Sequence, residues 1–279
     1  HGRQAHRQGA GQRARAARIR RRGDAGVSVA SALFRAPEPL DPASHAALRI
    51  APLRDFGIAA RLHAVFVAAT EIPEAAPEDP IGFVPSGGHG AAGAPVVSPV
   101  ALLGLVPGEN LFVQGGRWQA RYVPAFVRRY PFVSGRRGPM IDMAWSGLSP
   151  IDGEPLFDEA GRPTPTLAAA LDFLARFDAE ALRTRGFTAR LAALELLQPL
   201  QADATLPDGT TLTVEGFRVV DEDRLRALPD AEVLELHRSG MLMLVHLHRA
   251  SLARMRHLVE LKALREHERR TGEPHGPTG

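Results

Sequence analysis

The stretch SGLSPIDGEPLFDEAGRPTPTLAAALDFLARF (146–177) decides how this chain is built. Up to residue 165 it is turn-forming, with Ser, Gly, Pro and Asp recurring and no apolar period. Beyond it Leu167, Leu171, Phe173, Leu174 and Phe177 recur at three- and four-residue spacing, one face of an α-helix. Thr164 followed by Pro165 fits an N-cap with proline at the first helical position. Arg185-Gly186 reads as the helix end, with a second short helix over 187–197. Upstream, the runs 46–49, 58–67 and 81–84 are apolar, partly alternating and bounded by turn residues, so they read as strands. Further strands are expected over 100–105, 110–114 and 117–123, with Gly115-Gly116 as a tight turn between the last two. Downstream, 201–206 and 210–220 form a hairpin through Pro207-Asp208-Gly209. Asp221 and Asp230 are expected to cap two helices, and Gly240 to precede a long amphipathic one over 241–265. Strands gathered first and helices second predict an α+β fold: a strand-rich N-terminal half and a helical C-terminal half containing one β-hairpin. A single domain is expected over 27–265, with a subdomain boundary near 146–165 and disordered tails at 1–26 and 266–279.

The chain has 279 residues, 44% of them hydrophobic, enough for a sizeable core. Its net charge of +3 invites a nucleic-acid reading, but eight arginines lie within residues 1–22. Without them 26 basic residues face 31 acidic ones, a net of −5, so the body is acidic and nucleic-acid binding is not expected. The tail carries almost no large apolar side chain and cannot offset its ordering entropy. It reads as a phosphate-binding arm, a targeting segment, or sequence upstream of a true start at Val27 or Val29; the last is favoured. Cysteine is absent, which excludes disulfides, thiolate catalysis and zinc–thiolate sites. No apolar run approaches the ~20 residues of a membrane span. A cytoplasmic location is expected.

Motifs with a defined chemistry are missing. No Gly-rich nucleotide fingerprint follows a strand, and there is no phosphate loop, HExxH or GxSxG, so no cofactor is expected. The SGGHGAAGA stretch reads as a mobile loop between two strands. His246 and His248 lie two apart on a helix, pointing about 200° apart, and His257 is about three turns from His246. They cannot share a metal, and no metal site is expected. Asp142, Asp152, Glu154, Asp158 and Glu159 cluster in sequence, and one of Asp142, Asp152 or Glu154 could serve as an acid or base. The clearest local signal is aromatic. Six of the sixteen aromatic residues fall within 112–132, including both tyrosines. If YVPAFVRRYPF (122–132) is extended, Tyr122, Phe126, Arg128, Tyr130 and Phe132 share one side. Arginine over aromatic faces gives cation–π contacts, and a fixed guanidinium binds carboxylate or phosphate. The candidate ligand-binding residues are therefore Trp118, Tyr122, Phe126, Arg128, Arg129, Tyr130 and Asp142. The alternative is packing of a sheet onto the helices, with Arg128 or Arg129 paired to an acid from 142–159.

Several strings resemble the SapC family: PLDPASHAALRI (39–50), PVALLGLVPGENLFV (99–113), YVPAFVRRYPF (122–132), GEPLFDEAGRPTP (153–165) and LPDGTTLTVEGFRVVDEDRLRALPD (206–230). The closing helix up to residue 258 continues the likeness, and residues 1–26 fall outside it. The resemblance implies an accessory protein with partners in a surface-layer or envelope uptake system, without demonstrated catalysis. It transfers no catalytic residue.

Overall fold

The computed structural model describes residues 33–89, 95–206 and 209–271. After β1 (Pro37–Pro39), the Asp41 carboxylate accepts the amides of Ala43 and Ser44, and Pro42 fills the first helical position. The chain therefore turns into α1 (Pro42–His45), and of the strand expected over 46–49 only β2 (Arg49–Ile50) forms. The same chemistry shortens the run 58–67. Asp55 caps a 3-10 turn at Phe56–Ala59, which leaves β3 (Ala64–Phe66).

Next come α2 (Ile72–Ala75), β4 (Ile81–His89) and β5 (Pro95–Leu102). Strand β4 thus extends into the stretch expected to be a mobile loop, of which residues 90–94 lie outside the described residues. The Gly115-Gly116 turn joins β6 (Val113–Gln114) to β7 (Arg117–Trp118), and both glycines adopt the positive φ that such a turn requires. Helix α3 (Ala125–Arg128) precedes β8 (Phe132–Gly135) and β9 (Gly138–Asp142), which form a small sheet with β1. The short β10 (Leu148–Ser149) and β11 (Glu154–Pro155) both pair with β2.

Thr164 and Pro165 start α4 (Pro165–Ala193) as their chemistry dictates, the Thr164 hydroxyl accepting the Leu167 amide. The helix does not stop at Gly186. Its buried stripe of Leu167, Leu174, Phe177 and Thr184 continues through Phe187, Thr188 and Leu191, and that packing offsets the ~1 kcal/mol cost of an internal glycine. Strands β12 (Leu197–Thr205) and β13 (Thr211–Val220) form the expected hairpin, two of whose turn residues, 207 and 208, lie outside the described residues. Asp221 caps α5 (Glu222–Arg226) through the amides of Asp223 and Arg224. Asp230 instead opens α6 (Asp230–Arg238), because Pro229 already occupies the cap position.

The long helix expected over 241–265 is two: α7 (Met241–Ser251) and α8 (Met255–Thr271), with a 3-10 turn at Leu252–Arg254 between them. Ser251 supplies a physical reason. Its hydroxyl donates back to the His248 carbonyl at 2.6 Å while accepting the Ile81 amide at 2.9 Å, an arrangement that bends helices.

The central sheet is antiparallel, in the order β12-β13-β4-β5-β3, so strands from both halves of the chain share it. The α+β reading holds. Helix α4 lies along β5, and α7 covers the region where β13 and β4 diverge beyond the Arg218↔Phe83 pair. There the buried His248 ring bridges the strands, with Nε2 accepting the Val220 amide at 3.1 Å and Nδ1 2.9 Å from the Ile81 carbonyl. Only a neutral ring protonated on Nδ1 satisfies both contacts. Burial, opposed by the Ile81 carbonyl, brings this imidazole down to about 4.

Candidate functional site

The segment 122–132 is not extended. Pro124 caps α3, a cis peptide joins Tyr130 to Pro131, and β8 begins only at Phe132. Two glutamates distant in sequence shape it. Glu71, itself buried, accepts the Tyr122 hydroxyl at 2.6 Å, the Ala125 amide at 2.7 Å and the Ala68 amide at 2.8 Å. Glu78 accepts the amides of Arg121 and Tyr122, and Trp118 donates its indole N–H to the Tyr122 carbonyl. Burial and the neighbouring Glu71 push the Tyr122 phenol well above its ordinary value, so it stays a donor.

Most of the candidate residues serve this scaffold. The Trp118 ring stacks on Phe112 and meets Phe56 edge-on. Arg128 donates to the Val123 carbonyl at 2.8 Å and lies over the Tyr122 and Phe173 rings. Tyr130 packs against Phe34 and Trp145 and donates to Asp142 at 3.0 Å. Asp142, fully buried, also accepts the amides of Arg35, Ala36 and Ala144. Burial raises its pKa, but these donors outweigh burial and hold it below the ordinary carboxylate value. Two of its four hydrogen bonds, those from Arg35 and Ala36, fasten the start of the described chain onto β9.

The acids of 142–159 do not gather into one site. Asp152, Glu154 and Glu159 are exposed, and Asp158 closes a local turn with the Arg162 guanidinium and amide. No ion pair links Arg128 or Arg129 to any of them among the described residues. The expected pairing is replaced by aromatic contacts.

Arg129 is different from its neighbours. It is only 8% exposed, and its guanidinium carbon lies 4.4 Å from the Phe177 ring centroid, 4.6 Å from Phe126 and 5.4 Å from Phe34. Its Nε has no hydrogen-bond partner, and no carboxylate lies within 4 Å of it among the described residues. Burial lowers this group to about 10 against the opposing pull of Asp178, so it keeps its charge at neutral pH. Phe126 and Phe177 also line a cavity of about 180 Å³ between α4, α3, the edge strand β3 and its neighbour β5. Phe66, Val97 and Ser98 complete its sheet side, and Thr184, Arg185 and Thr188 its helix side. Of the sequence candidates, then, Phe126 and Arg129 line the cavity. Trp118, Tyr122, Arg128, Tyr130 and Asp142 are not among its lining residues.

The helix contribution is not legible in the apolar period of the sequence: Phe177, Ala181, Thr184 and Arg185 lie within the expected helix, but that period reads as core, and Thr188 lies beyond the end expected at Gly186. One signal was available: Thr184 and Thr188, four residues apart, interrupt an otherwise apolar stripe. The chemistry supported by this arrangement is binding, with a desolvated cation at the wall of an apolar cavity. No cluster of three or more potential metal ligands occurs among the described residues. No helix among them is long and apolar enough to cross a membrane.

No curated protein and no solved structure matches this chain. A family model does, over residues 40–258, which is most of the sequence and includes every residue named at the cavity. On that match the chain belongs to the SapC family.

Proposed function

We propose that this chain is a ligand-binding accessory protein that holds a small organic anion in the cavity beside Arg129. One observation carries the reading: an arginine only 8% exposed, its guanidinium boxed by three rings, with a buried and unpartnered Nε and a cavity alongside. Burying a charge is costly unless something compensates it, and an incoming anion supplies that compensation. In the folded chain the rings hold the cation by cation–π attraction, each contact contributing about 0.5–2 kcal/mol.

A thermal-shift panel of small organic anions and their neutral analogues tests this. Anions are expected to raise the melting temperature of the parent protein and to leave an Arg129→Met variant, folded by circular dichroism, unmoved. A panel in which no anion stabilises the parent at millimolar concentration would overturn the reading. We place the protein in the cytoplasm, serving a surface-layer or envelope uptake system; family membership supports that setting. Affinity capture from a native lysate is then expected to return envelope components, and repeated recovery of the protein alone contradicts the setting.

A further inference from the structure

We infer that the anion held at Arg129 is a monocarboxylate carried on a single ring or a compact branched chain, of about the size of benzoate. This rests on the binding reading above and specifies its ligand class. Size is the first argument. An apolar cavity of about 150 Å³ accepts a benzene molecule, and the volume here is about 180 Å³, which leaves room for one ring and one small head group. Wall chemistry is the second. Phe66, Phe126, Phe177 and Val97 surround the space, so the body of the ligand meets rings and methyl groups, and ring edges and faces favour an aromatic partner.

The third argument is a count of donors. Thr184 sits on the wall, but its hydroxyl already donates to the Glu180 carbonyl at 2.7 Å and accepts the Ala69 amide at 2.8 Å. The Thr188 hydroxyl donates to the Arg185 carbonyl at 3.3 Å. What remains for a ligand is the Arg129 guanidinium, the Ser98 hydroxyl and, at the exposed rim, the Arg185 guanidinium. A planar carboxylate is satisfied by a guanidinium fork and one hydroxyl. Inorganic phosphate satisfies the same donors but brings no apolar body to the ring-lined wall, so it forgoes the contacts with Phe66, Phe126 and Phe177.

Titration calorimetry on the full chain with benzoate, benzamide and inorganic phosphate separates the possibilities. Benzoate is expected to bind saturably, with benzamide and phosphate each at least tenfold weaker. Arg129→Met should weaken benzoate at least tenfold. Ala181→Leu, which fills the cavity from α4 and leaves the arginine in place, should do the same, and it decides the matter if the arginine variant does not fold. Benzamide or phosphate binding as tightly as benzoate overturns the inference, as does parental benzoate affinity in Ala181→Leu. Silence with benzoate while other anions in the thermal-shift panel stabilise the protein overturns the ligand class alone. Silence with every anion overturns the binding reading as well.

Discussion

Replacing Lys262 with methionine is expected to cost the folded state about 3–5 kcal/mol, the range for breaking one partner out of a buried ion pair. Lys262 is the single lysine of the chain, and its side chain is 8% exposed. Its ammonium lies 2.6 Å from Glu109 and 2.9 Å from Glu266. Burial lowers the lysine pKa, but the two carboxylates outweigh that and hold it above its ordinary value. Glu109 is the reason the loss is large. It is nearly as buried, and its second oxygen has no partner, so methionine would strand a desolvated carboxylate. The same contact joins α8 to the segment 109–113, where Arg265 also donates to the carbonyls of Leu111 and Val113. Urea unfolding followed by circular dichroism measures the loss. The double variant Glu109→Gln, Lys262→Met should recover most of it, since no charge is then stranded. A loss below about 1 kcal/mol for the single variant would mean that solvent screens the pair.

The second large effect is a fall in stability between pH 6.5 and 8 that Asp79→Asn abolishes. Asp79 is fully buried, and neither carboxylate oxygen has a hydrogen-bond partner. Burial, with Glu78 adjacent, pushes its pKa up to about 8. An unfolded aspartate titrates near ~3.9, so from there to about pH 8 the folded chain holds a proton that the unfolded chain has released. Stability then falls as pH rises, by up to about 1.4 kcal/mol per unit. His248 acts oppositely. Its folded value of about 4 lies below the ordinary imidazole value, so acid favours the unfolded chain, and its stabilising contribution levels off only near pH 7.5. His63, also lowered by burial, acts in the same direction. At about pH 6.5 an unfolded imidazole is still half protonated, so both histidines oppose the aspartate slope until about pH 7.5, and above that it stands alone. The expected net loss from pH 6.5 to 8 is about 1 kcal/mol, and Asp79→Asn should be the more stable protein at pH 8. A parent whose stability rises over that interval, or an unchanged slope in the variant, would show that the carboxyl is compensated.

Where local chemistry dominates, the structure could be read directly from residues. Thr164-Pro165 starts α4, Asp221 caps α5, Gly115-Gly116 closes a hairpin and Gly240 precedes α7, each through groups within a few residues. The misreadings have a common origin. Gly186 ended the helix on propensity, yet Phe187, Thr188 and Leu191 are buried on the same face as Phe177 and carry it through. Alternation puts the aromatic segment's rings on one side only if it is extended, while Glu71 and Glu78 fold it from more than forty residues away. What alternation could not tell was which of two adjacent arginines is buried: Arg128 lies exposed against Tyr122 and Phe173, and Arg129 turns inward.

By itself, the sequence determined the α+β class, the acidic body behind a basic N-terminal segment, the absence of thiol chemistry and the SapC kinship. These follow from composition, period and local motif, which act over a few residues or over the chain as a whole. Tertiary structure alone decided that Arg129, Phe126 and Phe177 meet at a cavity, that Lys262 is buried against Glu109, and that Asp79 lacks a partner. Each depends on which side chains lose their water together. That is settled when elements remote in sequence pack, and no local pattern encodes it.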